Sequence, residues 1–246
     1  MIKKIAILGS TGSIGSSTLS ILKKQKNFKV KLLTANRNIT KIYKQACQFK
    51  VKDVIIEDKY KYLKFKNKFK KKKINLHLGI SNLKKISNFN VDYSMNAISG
   101  LNGLEPTLDI IPKSKNMLIA NKESIICGWN LIFNKLKKYN TKFIPIDSEH
   151  FSIWKLIENE KHANIEKIIL TASGGPFLNL PKKKYYYAKP SLALKHPNWK
   201  MGKKISIDSS TMMNKIFEFI EAKKIFKQRK KNISILIHPS SYVHAI

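Results

Sequence analysis

The chain has 246 residues, 43% of them hydrophobic, enough for one large domain or two modest ones with a real core. Lys and Arg number 48 against 15 Asp and Glu, a net charge of +33, and no apolar run is long enough to span a bilayer. The opening apolar run Ile5–Leu8 is too short for a secretory signal, and Cys47 and Cys127 lie far apart in no metal-like spacing; a disulfide framework is not indicated, and a reducing, cytoplasmic setting fits.

Lys4–Leu8 reads as a strand and Ser13–Lys24 as a helix, followed by a strand at Phe28–Thr34, a helix at Ile39–Phe49 and a short strand at Val54–Glu57. Lys59–Lys73 is the densest cationic run. Tyr62, Phe65 and Phe69 recur through it at i, i+3, i+7, which makes it an amphipathic helix with a solvated basic face. So basic a chain would ordinarily point to nucleic acid. Here lysine is otherwise spread along the sequence with abundant Ile and Asn, as A/T-rich codons dictate, and the aromatics form no base-stacking motif. Neither nucleic acid nor a membrane is an expected partner, while a positive surface raises the encounter rate with anionic substrates. Asn75–Leu78 and Tyr93–Ala97 continue as strands, Leu104–Ile111 as a helix, Asn116–Ala120 as a strand, Ser124–Tyr139 as a helix and Lys142–Ile146 as a strand. This alternation implies βαβ units and a parallel sheet over residues 1–147.

Beyond Asp147 the texture changes. Ile165–Thr171, Lys203–Ile207 and Ile233–His238 are strand-like, and between them lie a Lys- and Tyr-rich loop and a helix at Met212–Phe226. Residues 148–246 therefore read as a second, α+β domain. The closing apolar run Tyr242–Ile246 carries no terminating signal and reads as cut off inside an element.

Gly9-Ser10-Thr11-Gly12-Ser13-Ile14-Gly15 follows the first strand and opens the first helix. Glycines there permit a tight turn and close approach of pyrophosphate to the helix N-terminus, the chemistry of a dinucleotide site; a strand-to-helix turn can also use glycine for geometry alone. An NAD site usually places a carboxylate at the end of the second strand, to hold the ribose 2′-OH. This chain has Asn36-Arg37-Asn38, and an Arg there can pair with a 2′-phosphate, which favours NADP. Asn121, Lys122, Glu123 and Ser124 follow a later strand and read equally as crevice residues or as a capped helix start.

Carboxylates are scarce, so the cluster Asp147-Ser148-Glu149-His150 is informative. In extended backbone Asp147 and Glu149 project to one side and suit Mg²⁺ or Mn²⁺. The alternative is a helix N-terminus capped by Asp147 or Ser148. Asn214, Lys215 and Glu218 share one helix face, either as ligands or as a surface pair. Thr171–Pro176, with Ser173 and two glycines, and Asp208–Thr211, with Ser209 ahead of a helix, could each present donors to a phosphate or could simply cap. His196–Gly202, bounded by Pro197 and Gly202, could form a lid carrying His196 and Trp199.

In this order the segments GSTGSIG (9–15), LIANKES (118–124), PIDSEH (145–150), ASGGPF (172–177), HPNWKMG (196–202), KISIDSSTMMNK (204–215 with Lys203 before it) and IHPSSYVHA (237–245) resemble the 1-deoxy-D-xylulose 5-phosphate reductoisomerase family. The resemblance covers essentially the whole chain. It implies a Rossmann-like NADPH-binding domain over 1–147, a catalytic domain over 148–246, and a further C-terminal helical domain that is missing here. It implies conversion of 1-deoxy-D-xylulose 5-phosphate to 2-C-methyl-D-erythritol 4-phosphate, with NADPH and a divalent cation (Mn²⁺, Mg²⁺ or Co²⁺), in a homodimer. Asp147, Glu149 and Glu218 match the family's metal ligands. Lys122, Glu149 and His196 match catalytic positions; Lys122, Ser148, Glu149, Ser173, His196, Ser209, Asn214, Lys215 and Glu218 match substrate contacts. Thr11, Gly12, Ser13, Ile14, Asn36, Arg37, Asn38, Asn121, Glu123 and Gly202 match cofactor positions, and Trp199 and Met201 sit on the lid. Arg37 stands where Lys is common, and Ala172 and Lys200 where Gly and Ser are frequent.

Overall fold

The computed structural model describes residues 1–86, 89–160, 164–196, 202–228 and 230–246. The chain divides into two compact units, Met1–Ile144 and Pro145–Ile246. The division falls three residues ahead of the 147/148 boundary read from the sequence and groups Asp147 with Glu149.

In the first unit β1 (Lys3–Leu8), α1 (Ser13–Lys23), β2 (Phe28–Ala35), α2 (Ile39–Gln48), β3 (Asp53–Ile56), α3 (Lys59–Lys71) and β4 (Asn75–Leu78) alternate. They are followed by β5 (Val91–Asn96), α4 (Leu104–Ile110), β6 (Ser114–Ile119), α5 (Lys122–Lys138) and β7 (Lys142–Pro145). The sheet order is β4-β3-β2-β1-β5-β6-β7. Strands β4 through β6 run parallel. The order reverses between β1 and β5, the switch point at which doubly wound sheets bind ligands beyond their strand carboxyl ends. Ile5–Leu8, Leu32, Leu33 and Val54–Ile56 are buried without alternation, as expected of strands covered on both faces. The lysine-rich helix forms as the periodicity demands: Phe69 is fully buried against Tyr43, with ring centroids 5.0 Å apart, while its lysines other than Lys61 face solvent.

The second unit contains α6 (Ser148–Leu156), β8 (Ile168–Ala172), α7 (Lys182–Tyr185), α8 (Pro190–Ala193), α9 (Lys203–Ser210), α10 (Met213–Ile225) and β9 (Ile233–Ile237). β8 and β9 pair in parallel. His244–Ile246 runs along the other edge of β8, with Ile169 N–H and Ile246 N–H each donating to the other residue's carbonyl at 2.7 and 2.9 Å. α6 and α10 lie against this sheet, and Ile153, Leu170, Ala222, Phe226 and Ile233 make a shared core. Each large side chain so buried stabilises the unit by about 1.5–3 kcal/mol.

One expected strand is a helix. Lys203–Ile207 alternates polar and apolar residues only from Lys204 onward, and it forms the start of α9. Ser206 Oγ donates to Gly202 O at 3.1 Å and Lys204 pairs with Asp208 at 2.8 Å, both four residues apart. Both edges of β8 are already taken, and four alternating residues are too short a pattern to overrule these helical contacts. Asp208–Ser210 consequently closes α9 instead of extending ahead of α10. Met212, in the left-handed region at φ 61°, makes the break between the two helices. The Lys- and Tyr-rich loop also contains the two short helices α7 and α8.

Candidate functional site

In the first unit the candidate cofactor residues gather where strands end. Gly9, at φ +77°, packs so closely on the end of β5 that a Cβ would lie 2.7 Å from Ala97 O. Gly9 N–H donates to Thr34 Oγ1 at 2.9 Å, tying this turn to β2. Thr11 lies on the turn, Gly12 is the N-cap of α1, and Ser13 and Ile14 form its exposed first turn. Asn36, Arg37 and Asn38 connect β2 to α2, where the Asn38 side chain caps by accepting from Lys41 N–H at 3.1 Å. Asn121 is the N-cap residue of α5, with Lys122 and Glu123 in its first turn.

The Asn121 side chain does not cap. Its Nδ2 reaches Gly100 O at 2.9 Å and Ser124 Oγ at 2.6 Å, and its Oδ1 accepts from Asn96 Nδ2 at 3.2 Å. Asn96, buried at the end of β5, also donates to Gly103 O at 2.9 Å. The sequence reading passed over Asn96. A polar residue closing an otherwise apolar strand was the available signal.

In the second unit, Asp147, Ser148, Glu149, Ser173, His196, Ser209, Asn214, Lys215 and Glu218 line one cavity of about 330 Å³. Of the two readings of Asp147–Glu149 the helix start holds: Asp147 is the N-cap residue of α6 and Glu149 lies in its first turn, without a side-chain cap from Asp147. Their carboxylates nonetheless converge with Glu218 of α10, one ligand atom from each lying within 4.8 Å of the others. Lys215 stands among them, its Nζ 2.6 Å from Glu149 Oε1 and 2.5 Å from Glu218 Oε2. Burial alone would lower the ammonium's pKa, but the fields of Glu218 and Glu149 outweigh it and hold it above the ordinary lysine value. Ser148 Oγ donates to Glu149 Oε2 at 2.6 Å, and Asn214 Nδ2 donates to Glu218 Oε1 at 2.5 Å. Asn214 Oδ1, also buried, has no hydrogen-bond partner among the described residues. A set of hard oxygens beside an unsatisfied amide suits a divalent cation and a polar ligand.

The glycines of the Ser173 turn are needed where they stand. Gly174 and Gly175 have φ +88° and +69°, and a Cβ on Gly175 would lie 2.4 Å from Ser209 O, so the turn can lie against the end of α9 only without a side chain. Ser173 Oγ and His196 Nε2 are 3.1 Å apart. Burial pushes the His196 imidazole below its ordinary pKa, which favours its neutral form. Gly202 is the N-cap of α9 and lies outside the cavity lining. Trp199 and Met201, assigned to a lid, lie outside the described residues.

His150 and Glu221 carry a role the sequence reading did not give them. His150 is 1% exposed, and its Nε2 donates to the backbone carbonyl of Glu218 at 3.0 Å, joining α6 to α10 at a candidate ligand. Its Nδ1 lies 3.7 Å from Asp147 Oδ2 and 4.0 Å from Glu221 Oε2. Glu221, one turn after Glu218 and 2% exposed, was detectable as a rare carboxylate on the same helix face.

Fold and site together define a class: a doubly wound dinucleotide fold joined to a unit whose carboxylates converge on a polar cavity. The chain belongs to the 1-deoxy-D-xylulose 5-phosphate reductoisomerase family. Residues 5–128 match the model of that family, and residues 143–226 match the model of its C-terminal domain. The chain is 60% identical to 1-deoxy-D-xylulose 5-phosphate reductoisomerase of Pelagibacter ubique over 99% of its own length and 64% of the relative's, and 44% identical to that of Persephonella marina over 99% and 62%. It superposes at TM-score 0.91 on a reductoisomerase crystallised with NADPH, fosmidomycin and magnesium (36% identity, 99% of this chain and 63% of that one). The corresponding enzyme of Zymomonas mobilis, in complex with NADPH, gives 0.89 at 34% identity, covering 100% of this chain and 64% of that one. The chain thus spans just under two thirds of the length of these relatives. Among the described residues no helix is long and apolar enough to cross a membrane.

Proposed function

We propose that this protein carries out the NADPH- and divalent-cation-dependent isomerisation and reduction of 1-deoxy-D-xylulose 5-phosphate to 2-C-methyl-D-erythritol 4-phosphate, in non-mevalonate isoprenoid synthesis. The observation that carries the reading is the approach of Asp147, Glu149 and Glu218 to within 4.8 Å of one another beside a cavity lined by serines, Asn214 and Lys215. The first unit is the NADPH-binding domain: Thr11–Ile14 take the pyrophosphate, Asn36–Asn38 the 2′-phosphate, and Asn121 and Glu123 further parts of the cofactor. The second unit is the catalytic domain. Ser148, Ser173, Ser209, Asn214 and Lys215 hold the phosphorylated sugar, and this remote binding orients the reacting carbons. Lys122, Glu149 and His196 act at the reacting end. A divalent cation (Mg²⁺, Mn²⁺ or Co²⁺) held by the three carboxylates supplies Lewis-acid polarisation of substrate oxygens, and NADPH supplies the hydride. Neutral His196 can donate or accept a hydrogen bond without adding charge. The reading includes a cytoplasmic homodimer that binds neither nucleic acid nor membrane.

Support comes from family membership and from relatives crystallised with NADPH and with magnesium. The test is NADPH oxidation by the purified protein, expected only when both Mn²⁺ or Mg²⁺ and 1-deoxy-D-xylulose 5-phosphate are present. Turnover that ignores a chelator, or none with both supplied, overturns the proposal.

A further inference from the structure

A second cavity, of about 420 Å³, lies in the first unit beyond the carboxyl ends of β2 and β3. Parallel pairing of these strands sets their following turns side by side. Two backbone bonds join the turns: Glu57 N–H donates to Ala35 O at 3.2 Å and Asp58 N–H to Asn36 O at 3.1 Å. Lys61 Nζ donates to the Arg37 carbonyl at 2.7 Å, so the first turn of α3 is fastened to the segment that bears Arg37. The cavity presents Arg37, Lys61 and Lys64 with the polar groups of Asn38 and Thr40, and among the described residues no carboxylate lines it. The two acids that precede α3 are engaged elsewhere: Asp58 accepts from Lys61 N–H at 2.9 Å as the helix cap, and Glu57 accepts from Ile80 N–H at 2.5 Å.

The end of the second strand is where a dinucleotide's 2′ substituent falls in this fold. A phosphate monoester carries about −1.5 to −2 charges at neutral pH. One guanidinium leaves that charge incompletely matched. We infer that Lys61 and Lys64 of α3 complete the 2′-phosphate site with Arg37 and set the preference for NADPH over NADH. Lys64 supplies a second cation from a separate element; its Nζ rests 5.8 Å from the Tyr60 ring centroid, beside the cavity. Lys61 is a positioning residue that holds the Arg37 backbone. The inference rests on the NADPH reading above and adds residues that this reading does not use.

The experiment is a titration of NADPH and NADH, followed by nucleotide fluorescence, on wild type, Lys64→Ala, Lys61→Ala and the control Lys66→Ala, an exposed lysine of α3 outside the cavity lining. Loss of one charge-assisted contact at a partly exposed site weakens NADPH about tenfold in Lys64→Ala. NADH affinity stays unchanged, and Lys66→Ala behaves as wild type. Lys61→Ala is expected to lower NADPH affinity by a smaller factor, again sparing NADH. A Lys64→Ala protein that keeps the full NADPH preference, or weakens both nucleotides alike, overturns the inference alone. Equal affinity of the wild type for the two nucleotides overturns the cofactor reading, and the inference with it.

Discussion

Lys215→Met tests the electrostatics of the carboxylate cluster. Lys215, Glu149 and Glu218 have side chains only 6%, 13% and 1% exposed, so little water screens the two ion pairs. Methionine keeps the volume and removes the charge, leaving two carboxylates facing each other. Breaking a buried pair in this way costs about 3–5 kcal/mol. At about 2–4 °C per kcal/mol for a chain of this size, the metal-free melting temperature falls by roughly 6–20 °C. A ligand at about a hundred times its Kd returns about 2.7 kcal/mol. Saturating Mn²⁺ should therefore restore most of the loss in the variant. It should raise the wild type less, because there it competes with an ammonium already bound to Glu149 and Glu218. Differential scanning calorimetry with and without Mn²⁺ reads both quantities, and purification in Mn²⁺ keeps the variant accessible should it unfold without metal. Equal Mn²⁺-induced shifts in the two proteins would refute the reasoning, as would a variant as stable as wild type in a chelator.

Glu149→Gln should abolish cation-dependent turnover, by at least about a thousandfold if a ligand and charge are lost together, while NADPH affinity measured by fluorescence stays within error; parallel loss of both would contradict the role given to Glu149. Gly175→Ala should destabilise the protein by about 2 kcal/mol or more, since alanine must hold φ +69° and meets the Ser209 carbonyl; a raised KM for substrate with NADPH affinity intact is the accompanying kinetic sign. Asp53 should add acid sensitivity. His77, 3.1 Å away, and Asn75 hold its carboxyl below the ordinary value against the opposing effect of burial. A depressed folded-state pKa gives stability that is present above about pH 3.9 and lost as pH falls through the lower value. Asp53→Ala should remove that part of the acid transition and cost about 1 kcal/mol at pH 7, as urea unfolding followed from pH 7 down through the acid transition will show.

Much of the fold was legible because its signals are local. The apolar run Ile5–Leu8, the glycine turn after it and the i, i+3, i+7 aromatics of α3 each depend on residues a few positions apart, and each element formed within a few residues of its expected bounds. The failure at Lys203–Ile207 has the same origin. Four alternating residues satisfy both a strand and the first turns of a helix, and the choice rested on whether a strand edge was free to receive them.

The candidate site was legible in composition but not in geometry. Rare carboxylates in a lysine-rich chain marked Asp147, Glu149 and Glu218, and helical spacing put Asn214, Lys215 and Glu218 on one face. Spacing could not show that Lys215 reaches Glu149 across 66 residues of sequence, that His150 ties α6 to the Glu218 carbonyl, or that α3 abuts Arg37. Periodicity determines which way a side chain faces along its own element. Which other element it meets is decided by how α6 and α10 pack on β8 and β9, and by which strands share an edge, and these contacts exist only once the chain has closed on itself.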